Sequence, residues 1–245
     1  MTTLERNRTY PLLSVGTDAK TVKGKILNIL TGILYLAPHK EAGLGNFCAN
    51  ASKGCIKLCL FTAGRGRFPN VVLGRMRKTA FLKSDPKGFR ARLRSDLRLL
   101  ERKAMRTAQK PAARLDGTTD IQLALQYCKD FPNVQFYDYT KNPIVMKRFL
   151  DGKYPANYHL TFSRSEENYR TAGAMLKRGA GVAYIFDEIP ETYRGWKVIP
   201  ADEFDARFLD REYYNIPENT GYIVGLTPKG KAKKDISGMV VKIRR

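Results

Sequence analysis

The 245-residue chain is short of acidic residues, of cysteine and of long apolar runs, and each shortage narrows what it can be. Asp and Glu number 23 against 44 Lys and Arg, so the net charge is +21 and the isoelectric point is near 9.9. A balance this one-sided points to a polyanionic partner, DNA or RNA first among them; the bland alternative is a merely soluble cationic surface. No apolar stretch approaches the ~20 residues that cross a bilayer, and "MTTLERNRTYPLL" lacks the apolar centre of a signal peptide. The expectation is a protein of the reducing cytoplasm with no membrane partner. In that setting clustered cysteines serve as metal ligands or redox groups more often than as disulfides. There are only four cysteines, and three of them fall within residues 48–59. Internal repeats, low-complexity tracts and linkers are also missing, so a single domain over 1–245 is expected. The 43% hydrophobic content is enough to fill its core.

The elements that are present repeat a pattern. "TGILYLAP" (31–38) reads as a buried strand closed by Pro38, and the cysteine segment "GNFCANASKGCIKLCLFTAGRGRF" (45–68) follows at its C-terminal end. A basic helical insertion around 65–110 comes next. It divides at Asp85 and Pro86, a cap and first-turn signal, and carries Phe89, Leu93, Leu97 and Leu100 as its buried stripe. This stretch holds 15 Lys or Arg against Asp85, Asp96 and Glu101. Beyond it, "AARLDGTTDI", "VQFYDYTKNP", "NYHLTFSRSEEN", "GVAYIF", "GWKVIP" and "GYIVGL" each pass from a β-branched or aromatic run into a polar cluster. The first three lead into helices with start signals at Thr118 or Asp120, Asn142 and Ser165, and Gly152 and Gly179 supply stops. Strand, loop and helix in this order predict an α/β protein: a single-domain βα barrel or partial barrel of TIM-like type, or an opened doubly wound sheet. In either form ligands gather at the C-terminal ends of the strands.

Those ends carry the candidate residues. Cys48, Cys55 and Cys59 have six and three residues between them. With the chain helical from Gly54 onward, Cys55 and Cys59 would share a face. Three thiolates suit a 4Fe-4S cluster with a non-cysteine or exchangeable fourth ligand, or zinc completed by nitrogen or oxygen; packing as small hydrophobes is the structural alternative. Cys128 reads as a core residue. Arg114, Asp116, Thr161, Ser163, Arg164 and Glu166 are candidates to bind a polar small-molecule ligand, and Asp138 and Lys141 to take acid–base roles. Helix capping is the alternative for each of these residues. Asp202, Asp205 and Asp210 suggest a hard-cation site but lack any calcium-loop or Walker pattern around them. "GRGRF" and "LTPKGKAKK" suit phosphate contacts.

The strings "CANASKGCIKLCLFTAGRGRF", "RLDGTTDI", "FYDYTK", "TFSRSEEN" and "VGLTPKGKA" together resemble the gene-product-eighty-eight type of tailed-bacteriophage protein, over about residues 25 to 243. That resemblance implies a setting in the cytoplasm of an infected bacterial host rather than a reaction. The three-cysteine loop after the first strand is also similar to that of the radical S-adenosylmethionine (SAM) superfamily, with wider cysteine intervals and "DGTTD" where the superfamily has a glycine-glycine-glutamate motif. This second likeness implies a 4Fe-4S cluster at the mouth of a barrel and, in an enzyme form, SAM held at its open iron. The combined expectation is a phage iron-sulfur protein that is radical-SAM-like as an enzyme. The alternative is a basic nucleic-acid-binding protein in which iron-sulfur or zinc only staples the loop.

Overall fold

The computed structural model describes residues 10–16, 21–22, 27–59, 61 and 63–243, with ten strands and six α-helices among them. Most of the N-terminal segment read for a leader lies outside these residues. The chain folds into two compact units. The first comprises residues 1–49, 65–138 and 155–158; the second comprises 50–64, 139–154 and 159–245.

In the first unit β1 (Leu13–Val15), β2 (Ile29–Leu34), β3 (Lys110–Arg114) and β4 (Gln135–Thr140, through Asp138 in this unit) lie side by side in that order. β2, β3 and β4 run parallel, and β1 is antiparallel to β2. Every residue of β2 is buried, the polar Thr31 included, as in a parallel strand covered on both faces. Two helices follow β2 in the chain, α2 (Pro69–Ser84) and α3 (Pro86–Arg106), after the short α1 (Lys53–Lys57) of the second unit. The expected division at Asp85 is observed: its carboxylate accepts the Gly88 N–H at 2.8 Å, and Pro86 sits in the first turn of α3. The predicted stripe of Phe89, Leu93, Leu97 and Leu100 is buried, with Phe81 of α2 edge-to-face on Phe89 at 5.6 Å. α3 packs on β1, β2 and β3. Its Asp96 turns inward and accepts the Leu12 and Leu13 N–H groups at 2.5 and 3.2 Å, tying β1 down through a buried carboxylate.

In the second unit the order is β5 (Tyr158–Ser163), β6 (Gly181–Phe186), β9 (Tyr222–Leu226), β8 (Trp196–Pro200), β7 (Thr192–Tyr193), with β10 (Val240–Val241) also pairing β6. All of these pairs are parallel except β7 with β8. α4 (Pro143–Leu150) starts at Asn142, whose side chain accepts the Ile144 and Val145 N–H groups. α5 (Tyr169–Lys177) starts at Asn168 rather than Ser165; the Ser165 N–H donates to the Asn168 side chain at 2.6 Å, which moves the start three residues on. Gly152 and Gly179 follow these two helices with positive φ, as expected. The helix expected after Thr118 or Asp120 is only a 3-10 turn at Leu123–Gln126. α6 (Asp210–Tyr213) completes the set.

Among the described residues neither strand order returns on itself. The architecture is mixed α/β, with the parallel βα succession of a barrel but without closure. Short antiparallel strands at the outer edges, β1 of three residues and β7 of two, end each order where a barrel would need a further long parallel strand.

Candidate nucleic-acid interface and cysteine loop

In the first unit α3 carries eight Lys or Arg against Asp96 and Glu101. Five of the arginines, Arg90, Arg94, Arg98, Arg102 and Arg106, recur every fourth residue. At 1.5 Å of rise and about 100° per residue, each step advances about 6 Å and turns about 40°, so the five span about 24 Å along a row that winds about 160° around the outer side of α3. Arg94 is half-buried, paired with Asp130 and stacked over the Tyr127 ring at 5.5 Å. Arg90, Arg98, Arg102 and Arg106 are exposed, with no hydrogen bond or ion pair among the described residues. An open groove of about 750 Å³ adjoins the ridge, lined by Ser95, Arg98, Glu101, Arg102, Met105 and Asn133 among others. Met105 is 78% exposed, the most accessible large apolar side chain on the helix. The charge of this region is evident from composition, and its four-residue period is legible in the string itself.

At the C-terminal ends of β3 and β4 the first unit gathers Arg114, Asp116 and Asp138, all buried. Asp116 accepts the Thr119 hydroxyl at 2.5 Å and the Ile121 and Leu123 N–H groups at 3.3 and 3.1 Å, so its carboxylate shapes the "DGTTD" loop. Asp138 accepts the Asp116 N–H at 2.8 Å and the Tyr158 hydroxyl at 3.5 Å. Burial first, and for Asp138 the neighbouring Asp116 charge second, pushes both carboxyls above their ordinary range. Gly117 occupies its place because a Cβ would lie 2.7 Å from the Leu34 carbonyl. Both acids serve the loop in this structure. Cys128 is a core residue, as expected, and burial pushes its thiol up to about 12.

Cys48 also belongs to the first unit. His39, in the left-handed region at φ 49°, donates its N–H to the Cys48 Sγ at 3.3 Å and accepts the Phe47 N–H at 3.0 Å. The Cys48 thiol donates to the Thr118 carbonyl at 3.7 Å.

Cys55 and Cys59 belong to the second unit. The helix predicted to carry both ends at Lys57, so Cys55 is helical and Cys59 lies beyond the end, its N–H bonded to Ile56 O at 3.4 Å. The three first-turn N–H groups of α1 are all met by side chains: Lys53 by Glu167 at 3.3 Å, Gly54 by Glu166 at 2.7 Å and Cys55 by Ser52 at 3.1 Å. The Ser52 hydroxyl in turn donates to Glu166 at 2.9 Å. A Cβ on Gly54 would lie 2.7 Å from both Glu166 Oε1 and Ser237 Oγ, so only glycine allows this approach. Glu166, a candidate to hold a ligand, here accepts from the first turn of the cysteine helix and from Ser52. Cys55 packs against a small core of Leu58, Ala232, Met239 and Val240.

The other candidates of the second unit are placed separately. Arg164 donates to the Gly238 and Met239 carbonyls at 2.6 and 2.8 Å. The Ser163 carbonyl accepts the Asn168 amide at 3.0 Å. Thr161 is buried, with its hydroxyl unpartnered among the described residues, and Lys141 precedes the Asn142 cap. The acidic stretch read as a cation site is divided too: Asp202 holds Lys229 at 2.8 Å and the Thr227 hydroxyl at 2.6 Å, while the buried Asp210 faces Arg207 at 3.3 Å. All three clustered cysteines are half-exposed, and among the described residues no group of three or more His, Cys, Asp or Glu is gathered to hold a metal ion.

A mixed α/β protein with an arginine-ridged helix and a thiol-bearing loop is the class these observations define. Within it, the chain belongs to the gene product 88 family, the phage-type family its strings resemble, with a match over residues 10–242. No curated protein and no solved structure matches it, so the likeness to the radical SAM superfamily gains no support. Among the described residues no helix is long and apolar enough to cross a membrane.

Proposed function

We propose that this protein binds nucleic acid through the arginine-bearing face of α3. The observation that carries the reading is the row of Arg90, Arg98, Arg102 and Arg106, exposed along a line that winds around the outer side of α3 and unpaired by any acid among the described residues. Unpaired guanidiniums in series are suited to the phosphates of a polyanion, each contact releasing condensed counterions. The net charge of +21 extends the same attraction beyond the helix. The test is fluorescence anisotropy with labelled DNA and RNA oligonucleotides over a salt series, comparing the protein with Arg98→Glu/Arg102→Glu. Binding that weakens steeply with salt and collapses in the variant supports the reading; salt-independent or absent binding refutes it.

A second reading is favoured by the N–H···S bond from His39 to Cys48 and by the side-chain hold on the first turn of α1. In it Cys48, Cys55 and Cys59 take a 4Fe-4S cluster, or zinc, on a partial βα barrel in the infected host's cytoplasm. Among the described residues no group of three or more His, Cys, Asp or Glu stands together as a ready ligand set. In its enzyme form Arg114, Asp116, Thr161, Ser163, Arg164 and Glu166 would hold SAM, and Asp138 and Lys141 would take acid–base roles. Anaerobic purification with iron, sulfide and zinc assays decides this reading: a metal-free, colourless and folded protein removes it.

A further inference from the structure

The groove beside the ridge differs from the ridge itself, and the difference bears on which form of nucleic acid it fits. A surface built only to attract a duplex backbone needs cations alone. Here Arg98 and Arg102 share one groove with an exposed thioether, Met105, and with uncharged polar groups, Ser95 and Asn133. Glu101 lines it as well. A carboxylate is unfavourable beside phosphate, but it accepts hydrogen bonds from exocyclic amines of bases. Thioether sulfur makes favourable contacts with aromatic rings, and guanidinium planes stack on bases. Within a duplex the base faces are stacked away, and only unpaired bases can present a face to a side chain.

We infer that the α3 groove is a single-strand site: successive phosphates of one strand follow the arginine ridge, while an unpaired base enters the groove against Met105, within reach of Asn133 and Glu101. This inference deepens the proposed nucleic-acid reading and rests on it. The groove volume of about 750 Å³ suits an occupant of one or two nucleosides, within the ordinary range of small-ligand sites.

The experiment compares the intact protein with Met105→Ala, Asn133→Ala and Arg98→Ala/Arg102→Ala on labelled single-stranded oligonucleotides and on the matching duplexes, at fixed salt. All the substituted side chains are on or near the surface, and circular dichroism confirms each fold. The expected result is tighter binding of single strands than of duplex. Met105→Ala should lose about 2- to 10-fold for single strands, the range of a thioether–ring contact, with little change for duplex. Asn133→Ala should shift preference among base sequences, and the arginine double variant should weaken both forms. Duplex bound as tightly as single strand, or a Met105→Ala variant equal to wild type on single strands, would overturn the inference while leaving nucleic-acid binding intact. No binding of either form by the wild type would instead remove the underlying reading.

Discussion

Gly54→Ala should destabilise the second unit by a predictable amount, because the approach of Glu166 to the cysteine helix leaves no room for a methyl group. The added Cβ would meet Glu166 Oε1 at 2.7 Å, Glu166 Cδ at 2.8 Å and Ser237 Oγ at 2.7 Å, so the carboxylate must move away. Two hydrogen bonds to a charged acceptor go with it, from Gly54 N–H and from Ser52 Oγ. Bonds of that kind are worth about 1.5–3 kcal/mol each, and this half-exposed site belongs at the lower end, so the loss is about 3 kcal/mol. Alanine returns roughly 0.5–1 kcal/mol through its lower chain entropy in a helix. The lost contacts win, and the net cost is about 2 kcal/mol. The sole tryptophan, Trp196 in β8, lies in the second unit, so urea denaturation followed by its fluorescence reads the affected part. Glu166→Ala removes the same two bonds without the collision and should cost about as much or slightly more. The double variant should be little worse than either single one, because both act on the same contacts. A Gly54→Ala protein within about 0.5 kcal/mol of wild type, or additive effects in the double variant, would refute the clamp.

Further predictions concern buried ionisable groups. Asp138 titrates above the ordinary carboxylate range in the fold, so the folded protein binds its proton more tightly than the unfolded chain and stability falls as pH rises above about 4. Asp138→Asn keeps an oxygen for the Asp116 N–H, so denaturation at pH 5 and pH 8 should show it at least as stable as wild type at pH 8, with a flatter profile. Asp138→Ala orphans that N–H and should cost about 1–3 kcal/mol in the same assay. His159 behaves oppositely: burial, with Arg207 and Arg211, lowers it to about 3, and its Nε2 has no partner among the described residues. Its contribution is complete above pH 6.5 and is lost as pH falls toward 3, with a slope of up to about 1.4 kcal/mol per pH unit. His159→Phe, in contact with Phe149, should weaken that acid limb in thermal denaturation between pH 7 and 4.

Most elements were legible because they obey local rules. The Asp85–Pro86 start of α3, the Asn142 cap of α4 and the Phe89–Leu100 stripe follow from capping chemistry and helical period, which a neighbouring strand does not alter. The errors arose where one side chain outweighed local propensity. Asp116 gathers Thr119, Ile121 and Leu123 into a loop, leaving only a 3-10 turn where a helix was expected. Asn168 captures the Ser165 N–H and shifts the start of α5. The candidate site was readable by residue type, but not the contacts its side chains make: Asp116, Asp138, Arg164 and Glu166 each hydrogen-bond the protein's own backbone. Pairings of this kind join distant positions and leave no periodic trace. The arginine ridge did leave one, at every fourth residue from Arg90 to Arg106, and it is the feature most easily found by counting.

The most direct test of nucleic-acid binding by α3 is the slope of log affinity against log salt for single-stranded oligonucleotide, measured for wild type and for Arg98→Ala/Arg102→Ala. Each phosphate contact on a single strand contributes about 0.7 to that slope, so losing two arginines should make it shallower by about 1.4. An unchanged slope with unchanged affinity would contradict the account.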